Sequence, residues 1–255
     1  MLVLLSPAKK QDFETSHPDI EATKPLAAKE SAVLIEHLKQ LSKAQLAKLM
    51  GVSNSIAELN YHRFQQFDPN NYNRHNAKQA LYAFRGDAYR ALDADSLKPK
   101  SINFLQQHLI ILSGLYGYLR PLDLIQPYRL EMKTTLNNQR GKDLYAFWGD
   151  RIAKALDKLQ QHHKNKTIIN LASSEYYKAV AHALNPSQVI TISFKEKKGN
   201  TYKVIGINAK RARGAMTRYI AEHNLKNPQQ LIEFDRDGYY FDKKLSTEHE
   251  FVFVR

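Results

Sequence analysis

The sequence predicts a single compact α/β domain in which helices surround a mixed β-sheet. Residues 2–5 form a continuous apolar run closed by Pro7, which is typical of a central strand buried on both faces. Amphipathic helical patterns then alternate with short apolar stretches. Two of these stretches, 189–194 and 202–207, flank a Lys-Lys-Gly-Asn turn typical of a hairpin, so we expect part of the sheet to be antiparallel.

The remaining elements follow from apolar spacing and capping residues. The sequence contains no internal repeat and no Gly/Ser-rich linker, so we expect one domain over residues 1–255. Strands are predicted at about 108–112, 167–171, 239–241 and 251–254. Helices are predicted at about 28–41, 56–67, 77–84, 143–160 and 209–224, and a further helix runs through about Met50.

The charge and the cysteine content narrow the function classes. The chain has 38 Lys and Arg against 25 Asp and Glu, a formal net charge of +13, which favours DNA or RNA as partner, although many basic proteins bind neither. It has no cysteine, which excludes disulfides, thiolate metal sites and thiol-based peroxide chemistry and suits a reducing cytosol. The apolar N-terminal run is too short for a signal peptide or a membrane span, so we expect a cytoplasmic protein without a membrane partner.

The sharpest local pattern predicts a helix-hairpin-helix at about 42–67. Ser42 with Gln45 and Ser55 with Glu58 each read as a capping box. Such hairpins present backbone N–H groups to a phosphate and recognise shape rather than base sequence. The usual turn has a second glycine where this chain has Ser53, and any αα-hairpin could produce the pattern. The candidate DNA contacts here are Lys48, Gly51, Val52, Ser53, Asn54 and Ser55.

A second candidate for phosphate binding is the basic helix after the strand hairpin. Cations near a helix N-terminus oppose the helix dipole, so an anion would compensate them, whereas the alternative is a solvated basic face. A glycine on the face that carries the arginines would let a partner backbone approach closely. The residues concerned are Lys210, Arg211, Arg213, Gly214 and Arg218.

Loops dense in Gly, Pro, Tyr and Arg predict a cleft wall at 112–123 and 127–132, and the alternative is a rigid turn with an internal Arg120–Asp123 ion pair. Residues 6–9 and 172–176 each follow an apolar strand, where α/β sheets present loops to ligands, and both could line one cleft. For the serines at 173 and 174 plain helix capping is the alternative. If the cleft belongs to an enzyme, the candidate catalytic residues are Lys9, Tyr116, Arg120, Asp123, Arg129 and Glu131.

Other catalytic signatures are missing from the sequence. It has no Walker loop, no dinucleotide glycine fingerprint, no nucleophile elbow and no His-Glu-x-x-His motif, and its ten histidines are scattered apart from His162-His163. We therefore predict no metal site and no cofactor.

Seven motifs together resemble the bacterial YaaA family over nearly the whole chain, with Ala91 standing where a glycine is expected. The resemblance implies a cytoplasmic protein of the peroxide stress response, with a mixed α/β fold, a basic cleft and a helix-hairpin-helix that binds DNA. It also implies that the protein limits oxidative damage linked to intracellular iron. Without cysteine or a metal motif, such protection would be indirect. The motifs are Ser6-Pro-Ala-Lys9, Phe84-Arg-Gly-Asp87, Ser113-Gly-Leu-Tyr-Gly-Tyr-Leu-Arg-Pro-Leu-Asp123, Pro127-Tyr-Arg-Leu-Glu-Met132, Phe147-Trp-Gly-Asp150, Asn170-Leu-Ala-Ser173 and Arg213-Gly214.

Three functional hypotheses follow. The favoured one is a DNA-binding stress protein that contacts phosphates without strong sequence preference, so its affinity should fall steeply with salt. The alternative is an enzyme acting on a nucleotide or another phosphorylated small molecule in a basic cleft. The third is a rigid scaffold whose charge serves solubility.

Overall fold

Strands and helices are interspersed along residues 1–16 and 19–255, the part that the computed structural model describes. None of the helices described there is both long and apolar enough to cross a membrane. The strands are β1 (Leu2–Leu5), β2 (Lys78–Gln79), β3 (Leu109–Ser113), β4 (Gly117–Leu119), β5 (Leu124–Ile125), β6 (Ile168–Asn170), β7 (Val189–Lys198), β8 (Thr201–Lys203), β9 (Tyr240–Phe241) and β10 (Glu250–Val254). The α-helices are α1 (Ala28–Lys39), α2 (Lys43–Met50), α3 (Asn54–Gln66), α4 (Ala80–Ala83), α5 (Asp87–Leu92), α6 (Pro99–His108), α7 (Leu144–Trp148), α8 (Arg151–Leu159), α9 (Ser174–Ala181) and α10 (Gly206–His223).

The main sheet is mixed, as the sequence predicts. Counted over the described residues it has eight strands, in the order β4-β3-β1-β6-β7-β10-β9 with β8 paired to β7. Strands β3, β1, β6, β7 and β10 run parallel, whereas β4, β8 and β9 are antiparallel to their neighbours. All residues of β1 and β3 are buried, as expected for apolar strands covered on both faces.

The strand order creates a topological switch point between β1 and β6. These strands are neighbours, with Leu4 opposite Asn170. The next strand of the main sheet after β1 is β3, on one side, whereas the next after β6 is β7, on the other. Loops at the carboxyl ends of two such strands diverge and leave a crevice between them. The loops that begin at Ser6 and Leu171 therefore frame a crevice at this edge of the sheet.

Helix α10 approaches α5 very closely at Gly214. A Cβ atom built on this glycine would lie 1.9 Å from the carbonyl oxygen of Ala88 in α5. Because only a residue without a side chain allows this separation, Gly214 determines how the two helices pack. The contact also positions Arg213, the preceding residue, relative to α5.

Three predicted elements differ from the structure. The helix predicted at 77–84 begins as β2, because residues 78 and 79 pair with β5. The helix predicted at 143–160 is divided into α7 and α8, because Gly149 has a φ of +45°, which lies outside the right-handed helical region. The strand predicted at 202–207 ends at Lys203, and α10 already begins at Gly206.

The segment at 42–67 forms two helices, α2 and α3, joined by a short turn. The Ser42–Gln45 capping box is present, and Gly51 ends α2 with a φ of +60°. The second predicted box is wrong, because Ser53 rather than Ser55 caps α3 by accepting a hydrogen bond from the Ile56 amide. The geometry is that of a tight αα-hairpin, and its assignment as a DNA-binding helix-hairpin-helix stays a prediction.

Candidate functional site

A cleft of about 520 Å³ lies at the switch point, beyond the carboxyl ends of β1 and β6. The loops after these two strands line it together with the start of α9, part of α5 and the loop that precedes Lys133. Two side chains of α10 complete the lining. The lining residues are 5–11, 85–89, 128–131, 133, 171, 173–176, 210 and 213.

Positive charge dominates the cleft. Its lining contains seven Lys and Arg residues but three Asp and Glu residues. Among the described residues, Arg85 alone of these cations is paired with carboxylates outside the lining, those of Asp12 and Asp95. The field inside the cleft is therefore positive and attracts anions. The seven cations are Lys9, Lys10, Arg85, Arg129, Lys133, Lys210 and Arg213.

Glu131 is shared by three of these cations. Its carboxylate lies 2.9 Å from Lys9 Nζ, 3.3 Å from Arg129 Nη2 and 3.6 Å from Lys133 Nζ. Burial alone would raise the pKa of Glu131, but the hydrogen bond and charge of Lys9 and the charges of the other two cations outweigh it and lower the pKa. One ionised carboxylate thus serves three cations, which leaves an excess of positive charge around it.

Arg213 lines the cleft and is partly buried, with its Nε atom fully buried, and its side chain has no hydrogen-bond or ion-pair partner within the described part of the chain. Burial lowers the pKa of this guanidinium. The Nε atom of Arg129 is also buried without a partner. Removing a guanidinium from water costs free energy unless an anion or hydrogen-bond acceptors replace the water. These two side chains are therefore complementary to an anion.

The loops after β1 and β6 meet through two serines. The Ser173 amide donates a hydrogen bond of 2.9 Å to Oγ of Ser6, and the two hydroxyls are 3.3 Å apart. Ser173 occupies the N-cap position of α9, but its side chain makes no capping hydrogen bond. Because Ser173 and Ser174 both line the cleft, the positive end of the α9 dipole adds to its field.

The carboxylates of the cleft do not form a metal-binding cluster. In residues 1–16 and 19–255, no group of three or more His, Asp or Glu residues is arranged to hold a metal ion. Asp87 pairs with Arg90, and Glu175 accepts a hydrogen bond from the Lys133 amide.

Comparison with known proteins identifies the family. A family model described as "Peroxide stress protein YaaA" matches residues 1–245. The chain belongs to the YaaA family. UPF0246 proteins from Saccharophagus degradans, Janthinobacterium sp. (strain Marseille) and Acaryochloris marina are each 48% identical to it. The alignments cover 100% of this chain and 99%, 98% and 100% of those relatives, respectively.

In this YaaA-family protein, the structure brings together three of the six candidate catalytic residues, Lys9, Arg129 and Glu131. The other three lie outside the lining. Asp123 is fully buried and pairs with Arg120 at 2.8 Å, which is the internal ion pair of a rigid turn. Tyr116 is fully buried, and its hydroxyl accepts a hydrogen bond from the Gln126 amide.

Residues 113–123 support the cleft from behind. The Ser113 and Tyr128 hydroxyls are 2.7 Å apart, and Trp148 Nε1 donates to the Gly114 carbonyl oxygen. Together with the bond between Tyr116 and Gln126, these contacts hold the loop that carries Arg129 and Glu131. Residues 113–123 are therefore a scaffold that supports the cleft wall and do not form the wall themselves.

The predicted phosphate contacts on α10 separate into two groups. Lys210 and Arg213 line the cleft, whereas Arg211 is exposed and lines a small separate pocket. Arg218 donates to the carbonyl oxygens of Leu92 and Asp93 and pairs with Asp93 and Glu222, so its hydrogen bonds are satisfied within the protein. Gly214 admits the backbone of α5, not that of a partner.

The αα-hairpin lies apart from the cleft. Lys48, Gly51 and residues 53–55 are exposed, and Val52 is partly buried. No residue of 42–67 belongs to the cleft lining given above.

A second cavity of about 520 Å³ lies beside the hairpin, and its lining shares no residue with that of the cleft. Arg63 and Gln66 of α3 line it, together with residues 13–16, 74–78 and 126–127. The two cavities are neighbours along two segments of the chain. In the first segment Gln11 lines the cleft and Phe13 lines the second cavity; in the second segment Tyr128 lines the cleft and Pro127 lines the second cavity.

Sequence reasoning missed three cations of the cleft: Lys10, Arg85 and Lys133. Each adjoins or lies within a motif whose other residues were selected. For Lys10 the available signal was its place beside Lys9 in the loop after β1, where α/β sheets present residues to ligands, whereas Arg85 and Lys133 have no such local signal.

Proposed function

We propose that this protein binds DNA in the peroxide stress response, with the phosphate backbone held at the basic cleft. The family description supplies the physiological setting. The observation that carries the proposal is the partly buried Arg213, which lines the cleft and whose buried Nε atom has no partner among the described residues. DNA phosphates are anions of the kind that arginine and lysine side chains bind.

Exposed lysines surround the buried arginines. The Lys9 and Lys133 side chains are 62% and 65% exposed, and Lys10 and Lys210 are also exposed. Side chains of this kind contact phosphates and release counterions, which makes affinity strongly salt-dependent. Because phosphate contacts carry no sequence information, we expect little preference among duplex sequences.

The second cavity extends the basic surface toward the hairpin. Its lining includes Arg63, Arg74 and Lys78, but Arg74 pairs with Asp19 and the buried Lys78 donates to Thr15. A polyanion seated at the cleft would therefore meet chiefly Arg63 on the way to α3. This arrangement supports a role for the hairpin as an additional phosphate contact.

Protection from peroxide would follow from DNA binding rather than from peroxide removal by thiols. The chain has no cysteine with which to reduce peroxide. Bound protein would cover DNA and limit iron-linked damage to it.

Catalysis on a nucleotide or another phosphorylated small molecule is the second candidate function. Lys9 and Glu131, 2.9 Å apart beside Arg129, favour it, because a lysine and a carboxylate in a cleft at a switch point can exchange protons with a ligand. Tyr116, Arg120 and Asp123 lie outside the lining, which makes catalysis the weaker candidate.

The test compares two arginines of α10. Arg213→Gln removes a cation of the cleft, and Arg211→Gln removes an exposed cation outside it with the same change in charge. Fluorescence anisotropy would measure duplex binding over a series of salt concentrations. We expect the affinity of Arg213→Gln to fall about tenfold and its salt slope to decrease by about one, with little change in Arg211→Gln. Equal effects of the two variants, or a weak salt slope in the native protein, would contradict the proposal.

A further inference from the structure

We propose that the interior of the cleft is a binding site for a single nucleotide, whose phosphate contacts Arg129 and Arg213 and whose base packs against Tyr176. The cations of the cleft lie at two depths. The Lys9 and Lys133 side chains are exposed at the rim, whereas the Arg129 side chain is 23% exposed and its Nε atom is buried, as is that of Arg213. A ligand must enter the cleft to reach these Nε atoms.

The size of the cleft fits one nucleotide. Its volume of about 520 Å³ lies within the range of roughly 300–1,000 Å³ that small-molecule sites occupy. In a duplex the bases are paired and stacked, so duplex DNA places only backbone phosphates at the cleft and no base inside it. The remaining volume of the cleft therefore suits a nucleotide whose base is unpaired.

The wall of the cleft suits a base as well as a phosphate. Leu5, Leu171 and Tyr128 are buried in its lining, and Tyr176 is partly exposed to it. Apolar and aromatic walls with a few converging polar groups are typical of nucleotide-sized sites, and aromatic rings stack on any base. Inorganic phosphate alone would leave this apolar surface uncovered.

Two sources could supply the nucleotide. A free nucleoside monophosphate has the required phosphate and base, and so does an unpaired nucleotide within DNA. The second source rests on the proposed DNA binding, whereas the first does not. An unpaired nucleotide costs less free energy to insert than a paired one, because no base pair must be opened.

The first experiment measures binding of deoxyadenosine monophosphate by isothermal titration calorimetry, with deoxyadenosine and inorganic phosphate as separate probes. We expect the monophosphate to bind more tightly than either fragment and its dissociation constant to rise about tenfold in Arg213→Gln. Lys210→Gln, at an exposed position of the same cleft, provides a second variant that leaves the core intact. Arg211→Gln is the matched control and should bind like the native protein.

The second experiment uses two duplexes of one sequence, one fully paired and one with a single extrahelical 2-aminopurine. We expect the native protein to bind the second more tightly and to change the 2-aminopurine fluorescence, and Arg213→Gln to lose both effects.

The outcomes separate the two proposals. Binding of the monophosphate without preference for the extrahelical base would assign the site to free nucleotides. If the native protein binds duplex DNA but neither binds the monophosphate nor prefers the extrahelical base, the nucleotide site is overturned and the proposed function still stands. If the native protein binds the monophosphate but no DNA, the proposed function is overturned and the nucleotide site still stands.

Discussion

Glu131 occupies the place of a bound anion in the cleft. Lys9, Arg129 and Lys133 all direct nitrogen atoms toward its carboxylate. This contact reduces their mutual repulsion in the free protein, but the same carboxylate repels an incoming phosphate. Glu131 therefore both keeps the cations in place and limits the affinity of the cleft.

Removing this charge should strengthen DNA binding. In Glu131→Gln the amide oxygen still accepts hydrogen bonds, while the negative charge is gone. Because two unit charges about 4 Å apart repel by about 1 kcal/mol even in water, we expect duplex affinity to rise roughly fivefold or more. Fluorescence anisotropy titration at a fixed salt concentration measures this change in duplex affinity.

Glu248→Gln is the matched control for this prediction. Its side chain is 86% exposed and lies outside the cleft lining, and the substitution changes net charge equally. A rise in affinity of the same size in both variants would show that net charge alone is responsible. A loss of binding in Glu131→Gln would show that the carboxylate positions the cations more than it repels the ligand.

The residues of the cleft were only partly predictable. Lys9 could be selected because it follows a buried strand, and Arg213 because it lies in a cluster of cations. Tyr116 and Arg120 were selected for their residue types, yet the former is buried in the core and the latter pairs with Asp123. A loop rich in Gly and Pro does not reveal which of its side chains turn inward, because that depends on packing against distant segments.

The packing of α10 against α5 is the element-scale feature that places Arg213. In Gly214→Ala the new methyl group would lie 1.9 Å from the Ala88 carbonyl oxygen unless the helices moved apart. We expect the free energy of unfolding to fall by about 1–3 kcal/mol, the usual cost of overpacking a close contact. Urea denaturation followed by circular dichroism measures this change.

Gly206→Ala is the control on the same helix. Gly206 lies at the start of α10 with no atom within 4 Å of a built Cβ and without a positive φ. Its replacement should leave stability unchanged or raise it by up to about 1 kcal/mol. Similar losses in both variants would mean that glycine is needed for reasons other than contact with Ala88.

Elements with a long periodic pattern were predicted more accurately than short ones. Helices α1, α2 and α3 and the hairpin of β7 and β8 correspond to clear apolar spacing or turn composition. Strands β2 and β5 have two residues each, too few to show a period, and they form through pairing between distant segments. The division at Gly149 was missed because an isolated glycine is tolerated in many helices.

At the scale of the whole molecule, the sheet assembles the cleft from segments far apart in sequence. The alternation of elements predicts a mixed sheet, and the structure confirms it. The order of its strands was not predictable, because it depends on long-range pairing that leaves no local pattern. Only that order shows that β1 and β6 are neighbours with diverging connections, and hence why the motifs at 6–9 and 170–173 meet.

The most direct measurement is nuclear magnetic resonance of the arginine Nε–H groups. Arg129 and Arg213 have buried Nε atoms without partners in the part of the chain that the structure describes. On titration with an oligonucleotide that contains unpaired nucleotides, their Nε–H signals should shift and exchange more slowly with solvent, while that of Arg211 stays unchanged. DNA binding that leaves the signals of Arg129 and Arg213 unmoved would contradict the account.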